Sequence, residues 1–247
     1  MRVSVIIPAA GLGTRMGRSD PARPGEKSGP SRKQFLLLND EPILVHTIRK
    51  FARVPAVSEI VVALRPEDGD WAGELIAAGA PAKPVRIVEG GDSRQQSVEN
   101  ALASIDPGTD LVAVHDAVRP FISVETIETV FREAAEAGAA IVGIVPVDTV
   151  KQVHRNKIRL TIPRERLVLA QTPQVFRHGL LMEAFERARA DNFTGTDEAS
   201  LVERLEQVEV SVVPGSDRNI KITRPGDMEL ARLFLEEEEA ASQEKAQ

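Results

Sequence analysis

A glycine-rich segment carrying one arginine directly follows the first apolar run of the chain. Residues 3–7 read VSVII, and residues 8–17 read PAAGLGTRMG. A glycine-rich turn after a strand can aim backbone N–H groups at a phosphate, and its glycines let the ligand approach the main chain closely. Arg15 places a fixed positive charge in the same turn. The pattern therefore predicts a phosphate-binding turn.

Spacing alone leaves two other interpretations of this turn. It could be a tight strand-to-helix connection, or a variant of the dinucleotide-binding fingerprint. That fingerprint requires an acidic residue about 20 positions further on, at the end of the second strand. Counted from Gly13, this offset falls on Lys33, and the second predicted strand lies much later in the chain. The spacing thus favours a nucleoside triphosphate over NAD.

A single aspartate, Asp116, closely follows the apolar run at residues 111–114. Ligand sites of α/β proteins form at the carboxyl ends of parallel strands. We therefore expect Asp116 to face a ribose, a substrate or a metal ion. Capping of the following turn is the alternative, and Arg119 close behind favours the ligand interpretation.

Short β-branched runs alternate with amphipathic segments, which is typical of a mainly parallel sheet covered by helices. The predicted strands are residues 3–7, 57–64, 85–88, 111–114, 139–147 and 208–213. The predicted helices are residues 42–53, 95–105, 180–190, 197–205, one that begins near Ser123, and one from Pro225 to the glutamates at 236–239. These elements are expected to form one domain over residues 1–247, with a frayed tail at 240–247.

Two segments interrupt the β/α alternation. Residues 149–162 alternate apolar and polar side chains around a polar turn, so they are predicted to form a projecting β-hairpin, or β-arm. Residues 18–32 contain three prolines, two glycines and three serines without a period. This composition predicts a mobile loop that borders the phosphate-binding turn and closes over a bound polyanion.

Bulk composition excludes several classes of protein. The formal charge of −6 argues against a nucleic-acid surface, which needs a net basic face,. No cysteine is present, so disulfides, thiolate metal sites and cysteine nucleophiles are excluded,. Apolar runs fall far short of the roughly 20 residues that span a bilayer. We expect a cytoplasmic protein with no membrane partner.

Further motifs follow the glycine turn in order, and together they are far more specific than the turn. They read KQF at 33–35, GGDSR at 90–94 with Ser97, VHDAVRP at 114–120, PVDTVK at 146–151, QTPQ at 171–174, TDEAS at 196–200 and NIKIT at 219–223. With these motifs, nearly the whole chain resembles the 2-C-methyl-D-erythritol 4-phosphate cytidylyltransferase family.

The resemblance implies a Rossmann-like nucleotidyltransferase fold, with a twisted, mostly parallel sheet, helices on both faces and a protruding β-arm that joins a homodimer. It also implies Mg²⁺, or another divalent cation, and transfer of CMP from CTP to 2-C-methyl-D-erythritol 4-phosphate in the non-mevalonate pathway. A ribitol 5-phosphate cytidylyltransferase is the alternative within this chemistry. A dinucleotide-dependent oxidoreductase and a catalytically silent nucleotide-binding module are the alternatives from other classes.

Residue roles follow from the same resemblance. Arg15 and Lys33 would hold the triphosphate and stabilise the transition state, whereas Arg164 and Lys221 would grip the substrate phosphate. The nucleotide-binding residues implied are Pro8, Ala9, Ala10, Gly11, Leu12, Gly13, Gly91, Asp92, Ser97, Asp116 and Thr172. The substrate-binding residues implied are Asp116, Arg119, Thr149, Arg164, Thr196 and Lys221.

Residue types alone leave less specific interpretations open. Arg164 could form a solvated ion pair with its neighbours, and Lys221 could be an ordinary charge at a strand edge. Gly91 and Asp92 could form a simple turn before a helix cap. His115 is expected to be a packed histidine, because the attacking phosphate is already anionic and needs no strong base.

Overall fold

The computed structural model describes residues 1–11, 18–19, 29–30, 32–79 and 81–244. Its described part contains one large sheet, formed by β1 (Val3–Pro8), β6 (Val57–Leu64), β7 (Val85–Glu89), β8 (Leu111–Val114), β9 (Ala139–Ile144), β12 (Leu169–Arg177) and β13 (Ser211–Pro214). The order of these seven strands across the sheet is β13-β9-β12-β8-β1-β6-β7. Two short hairpins precede β6, formed by β2 (Arg18–Ser19) with β3 (Gly29–Pro30) and by β4 (Leu37–Leu38) with β5 (Glu41–Pro42).

The sheet is mostly parallel, as the β/α alternation predicts. β1 pairs in parallel with β6 and β8, β6 with β7, and β9 with β13. β12 is antiparallel to both of its neighbours, β8 and β9. The sequence did not reveal β12, because Pro173 in its middle argues against a central strand. The pairing with β9 shifts register between Ala170 and Gln174, and this irregularity accommodates the proline.

Seven α-helices lie within the described ranges. They are α1 (Ile43–Ala52), α2 (Gly69–Ala78), α3 (Arg94–Leu102), α4 (Val124–Ala137), α5 (His178–Ala190), α6 (Glu198–Glu203) and α7 (Pro225–Glu244). The sequence missed α2, which buries only Ala72 and Ile76 and so shows a weak apolar period,. α7 continues through Glu244, past the glutamates at 236–239 where the sequence predicted its end, and the expected fraying of residues 240–247 stays a prediction. β9 ends at Ile144, before Pro146, and not at residue 147 as predicted,.

Side chains alternate between the two faces of the sheet, and each face carries its own apolar core. Val3, Val5 and Ile7 pack into one core, and Ile6 packs into the other. Residues of α1, α2 and α4 complete the first core, whereas residues of α3, α5 and α6 complete the second. With both faces covered, the carboxyl ends of the parallel strands remain the accessible edge for a ligand.

The predicted β-arm is confirmed as a separate two-stranded hairpin. β10 (Val150–His154) pairs antiparallel with β11 (Lys157–Ile162). Arg155 and Asn156 between them have φ values of 49° and 60°, as a two-residue hairpin turn of type I′ requires. Val153, Ile158 and Leu160 are exposed on the arm.

The predicted mobile loop at residues 18–32 lies mostly outside the described residues, apart from β2, β3 and Arg32. Its closure over a bound polyanion therefore stays a prediction. Within the described ranges, no helix combines the length and the apolar character needed to span a bilayer.

Candidate active site

A cavity of about 260 Å³ opens at the carboxyl edge of the parallel strands. Segments that follow β1, β7 and β8 form its walls, because these strands run in the same direction and end together. The cavity is lined by Pro8, Ala9, Ala10, Gly11, Lys33, Gln34, Gly91, Asp92, Ser93, Arg94, Ser97, Asp116, Ala117, Val118 and Lys221.

Two of these segments touch where only glycine fits. A Cβ on Gly90 would lie 2.6 Å from the Cβ of Ala10 and 3.2 Å from the carbonyl oxygen of Leu64. The Gly91 N–H donates to Oγ of Ser97 at 3.0 Å, and that hydroxyl donates to the Ser93 carbonyl at 2.8 Å. Ser97 therefore fixes the turn that presents Gly91 and Asp92 to the cavity.

Lys33 reaches the cavity because its neighbours hold it there. Nε2 of Gln34 donates to the Ala9 carbonyl at 2.7 Å, which joins the short helix Lys33–Phe35 to the residues that directly follow β1. On the other side, Arg32 forms an ion pair with the buried carboxylate of Asp68. Two independent anchors thus position Lys33, even though a long segment separates it from the glycine turn.

Asp116 lies at the centre of a cationic cluster. Its Oδ2 lies 3.0 Å from Nζ of Lys221 and 3.2 Å from Nε of Arg119, and its Oδ1 lies 3.5 Å from Nε of Arg94. Burial alone would raise the pKa of Asp116, but Lys221, Arg94 and Arg119 together hold that pKa well below its ordinary value,. Asp116 is therefore ionised at neutral pH.

The residues behind Asp116 form a buried hydrogen-bonded support. The Asp116 N–H donates to Oγ1 of Thr172 at 3.0 Å, and Nδ2 of Asn219 donates to the Thr172 carbonyl at 3.0 Å. Arg119 donates from Nη1 to the Asn219 carbonyl at 2.7 Å. Thr172 and Arg119 thus lie behind the lining of the cavity and hold Asp116 in place.

His115 is a packed side chain, as the sequence predicts. It is fully buried, its ring lies 4.8 Å from the Phe51 ring in an edge-on contact, and Nε2 donates to the Arg119 carbonyl at 3.0 Å in the tautomer that suits this contact. Burial lowers the pKa of His115 to about 4. The imidazole is neutral at pH 7 and does not line the cavity.

Some predicted site residues do not line the cavity of their own chain. Arg164 lies at the base of the arm, is exposed and donates from Nη1 to the Val147 carbonyl. Thr149 and Thr196 are also exposed and do not line it. Three further predicted residues, Leu12, Gly13 and Arg15, lie outside the described part of the chain.

Arg94 and Gln34 line the cavity but were not predicted as site residues. Arg94 occupies the first turn of α3, next to the N-cap Ser93. A cation there opposes the positive end of the helix dipole. This unfavourable placement is the signal in the sequence that could have identified Arg94.

The cavity suits a polyanion that carries a divalent cation. Lys33, Arg94 and Lys221 supply positive charge, and Asp92 and Asp116 supply carboxylates. Among the residues that the structure describes, no three histidine or acidic side chains gather into a cage for a metal ion. Mg²⁺ commonly binds through one or two carboxylates plus substrate phosphates. The lining is therefore compatible with an Mg²⁺ ion, which Asp92 and Asp116 would help to hold.

Comparisons with known proteins agree on one family. Residues 3–237 match the model of the family described as 2-C-methyl-D-erythritol 4-phosphate cytidylyltransferase. A relative of that name from Solibacter usitatus is 63% identical over 98% of this chain and 99% of its own length. A second, from Acidobacterium capsulatum, is 52% identical over 95% of this chain and 98% of its own length.

Solved structures show the same likeness. The chain is similar to 4-diphosphocytidyl-2C-methyl-D-erythritol synthase from Anaerococcus prevotii, with a TM-score of 0.81, 29% identity and coverage of 95% of this chain and 96% of that one. It is also similar to the cytidylyltransferase from Thermus thermophilus, with a TM-score of 0.73, 33% identity and coverage of 95% and 98%.

Proposed function

This chain belongs to the 2-C-methyl-D-erythritol 4-phosphate cytidylyltransferase family, and we propose from this premise that it transfers CMP from CTP to 2-C-methyl-D-erythritol 4-phosphate and releases pyrophosphate. Identity of 63% over 98% of the chain to a relative of that name carries the proposal. The cationic cavity at the end of the parallel strands supports it. Neither a ribitol 5-phosphate transferase nor an oxidoreductase has comparable support. The cytoplasmic location expected from the sequence remains part of the proposal.

The reaction is a substitution at the α-phosphorus of CTP. A phosphate oxygen of the acceptor forms a bond to this phosphorus, the bond to the bridging oxygen of the β-phosphate breaks, and pyrophosphate leaves with that electron pair. The attacking phosphate is already anionic, so the chain must mainly bring two polyanions together and stabilise the charge that develops. We assign that role to Lys33 on the nucleotide side and to Lys221 on the acceptor side. His115 needs no part in it.

Asp116 and Asp92 are the side chains that we propose to face the divalent cation. When bound, Mg²⁺ would neutralise charge on the triphosphate oxygens. Asp116 also has an acceptor oxygen, Oδ1, which lies 3.5 Å from Nε of Arg94. That distance leaves the oxygen able to accept a hydrogen bond from a ribose hydroxyl or from a water of the metal ion.

We further propose that two copies of the chain pair through the β-arm. A lone hairpin is marginal in water, and the arm exposes 55% of Val153, 65% of Ile158 and 47% of Leu160. Burial of these side chains against a second copy would remove apolar surface from water. Arg164 at the base of the arm would then serve the cavity of the partner, since it does not line its own.

The proposed function is tested by pyrophosphate release. With CTP and Mg²⁺, we expect rapid release when 2-C-methyl-D-erythritol 4-phosphate is the acceptor and much slower release with ribitol 5-phosphate. Omission of the acceptor is the control for hydrolysis of CTP. Faster release with ribitol 5-phosphate, or none with either acceptor, would overturn the proposal.

The proposed dimer predicts complementation between two inactive variants. Lys33→Ala disables the cavity of its own chain, whereas Arg164→Ala would disable the cavity of the partner. A mixed dimer of the two variants then has one cavity with both residues intact. After unfolding and refolding as a mixture, we expect about a quarter of wild-type activity, because about half of the dimers are mixed and half of their cavities are intact. Activity no higher than that of either variant alone would show that Arg164 acts in its own chain.

A further inference from the structure

Glu198, the first residue of α6, is a buried carboxylate that the transfer reaction does not use directly. Its Oε1 accepts a hydrogen bond from Nη1 of Arg94 at 2.7 Å. Its other oxygen, Oε2, is buried and has no hydrogen-bond partner among the described residues. Burying a carboxylate is costly unless a specific contact compensates for it. The hydrogen bond from Arg94 is therefore the contact that compensates for the burial of Glu198.

The backbone around Glu198 is fixed from two directions. Asp197 caps α6 by accepting from the Ser200 N–H at 3.1 Å. Gln174 of the central strand β12 donates from Nε2 to Oδ2 of Asp197 at 2.7 Å, and its Oε1 accepts from the Ala199 N–H at 3.0 Å. The start of α6 is thereby tied to the sheet, so Glu198 has little freedom to follow a moving partner.

Arg94 links this fixed carboxylate to the cavity. Its guanidinium is only partly exposed, at 32% of the side chain, and lies between Glu198 and Asp116. Nε of Arg94 lies 3.5 Å from Oδ1 of Asp116, which is longer than an ordinary hydrogen bond,. The shorter contact to Glu198 holds Arg94 at this distance. Without it, the guanidinium could move onto Asp116 and form the closer, two-bonded pair that arginine and carboxylates favour.

Three cations of the described residues pair with Asp116, and only Arg94 has Oδ1 as its closest oxygen. Lys221 and Arg119 both approach Oδ2, at 3.0 Å and 3.2 Å. Arg94 alone of the three lies nearest to Oδ1. Among these three cations, Arg94 is therefore the one best placed to compete with a bound ligand for Oδ1.

We propose that Glu198 is a positioning residue for the nucleotide site: it holds Arg94 at the cavity wall and thereby keeps Oδ1 of Asp116 available to the ligand. This inference rests on the proposed cytidylyl transfer, which supplies the activity that is measured. Burial raises the pKa of Glu198, and the positive charge of Arg94 opposes this rise.

The test is a double-mutant cycle with Glu198→Gln and Arg94→Gln, measured at saturating acceptor. We expect Glu198→Gln to lower kcat/KM for CTP about tenfold, mainly through a higher KM. If Glu198 acts through Arg94, the double variant should lose no more than the poorer single variant. Losses that multiply would show two independent roles and overturn the inference.

Two further measurements separate positioning from mere structural support. A structural role would reduce the amount of folded enzyme and so lower apparent kcat without a change in KM, and that outcome would also overturn the inference. Glu99→Gln is the matched control, because Glu99 lies on the same helix as Arg94 and pairs with Arg189 on the exposed surface. We expect it to retain wild-type KM and kcat.

Folding and function can also be told apart. If Glu198→Gln does not unfold cooperatively, Arg94→Lys replaces it, since a lysine keeps the charge but lacks the planar fork of donors with which arginine faces Glu198 and Asp116. We then expect a similar rise in KM for CTP, and an unchanged KM would overturn the inference. An inactive wild-type protein would instead refute the proposed function.

Discussion

Replacement of Lys33 by alanine is expected to lower kcat about 100- to 1,000-fold while raising KM for CTP much less. The magnitude is that of removing one preorganised charge from a site where negative charge develops. Lys33 lines the cavity and is held there through the contact of Gln34 with Ala9 and the ion pair of Arg32 with Asp68. A fixed cation of this kind contributes most when charge builds on the phosphates during the reaction. Steady-state kinetics with varied CTP measure both terms.

Two variants control for the loss of charge and for the loss of a lysine. Lys33→Arg keeps the charge and should recover part of the activity. Lys83→Ala removes a partly exposed lysine that donates to the Pro55 carbonyl, away from the cavity lining, and should behave as wild type. Equal losses in kcat and in CTP affinity for Lys33→Ala would instead indicate uniform binding of substrate and transition state.

Replacement of Lys221 by alanine is expected to raise KM for the acceptor roughly 10- to 100-fold, the range of one charged hydrogen bond. Nζ of Lys221 lies 3.0 Å from Asp116 at the cavity wall, where it can also bind a phosphate. Asp116 keeps Arg119 and Arg94 in the variant, so CTP binding should change little. Kinetics with varied acceptor and direct titration with CTP distinguish the two effects.

Lys50→Ala is the matched control for this prediction. Lys50 forms an ion pair with Glu238 at 2.6 Å, between α1 and α7 and outside the cavity lining. Its replacement should leave both KM values unchanged. A collapse of CTP affinity in Lys221→Ala would show that the nucleotide and acceptor sites have been assigned the wrong way round.

The sequence predicted the parallel elements well because their signals are local. The strand at residues 57–64 contains the continuous apolar run 60–64, and such runs are typical of strands covered on both faces,. The sequence predicted Ser123 as a helix cap because a hydroxyl before an amphipathic run can accept a hydrogen bond from a backbone N–H. In the structure, Oγ of Ser123 accepts from the Thr126 N–H at 3.1 Å. β12 and α2 were missed because Pro173 and a weak apolar period mask their signals.

The sequence by itself determined the family, the order of the motifs and most of the residue types that line the cavity. The family follows from the resemblance carried by the ordered motifs, and the residue types are given directly by the sequence. Only the tertiary structure decided which of the candidates converge. Asp116 and Lys221 meet across more than a hundred residues, whereas Arg164 stays outside the cavity of its own chain. Distances between side chains distant in sequence depend on how the whole sheet packs, so the contact of Glu198 with Arg94 was invisible before the fold was known.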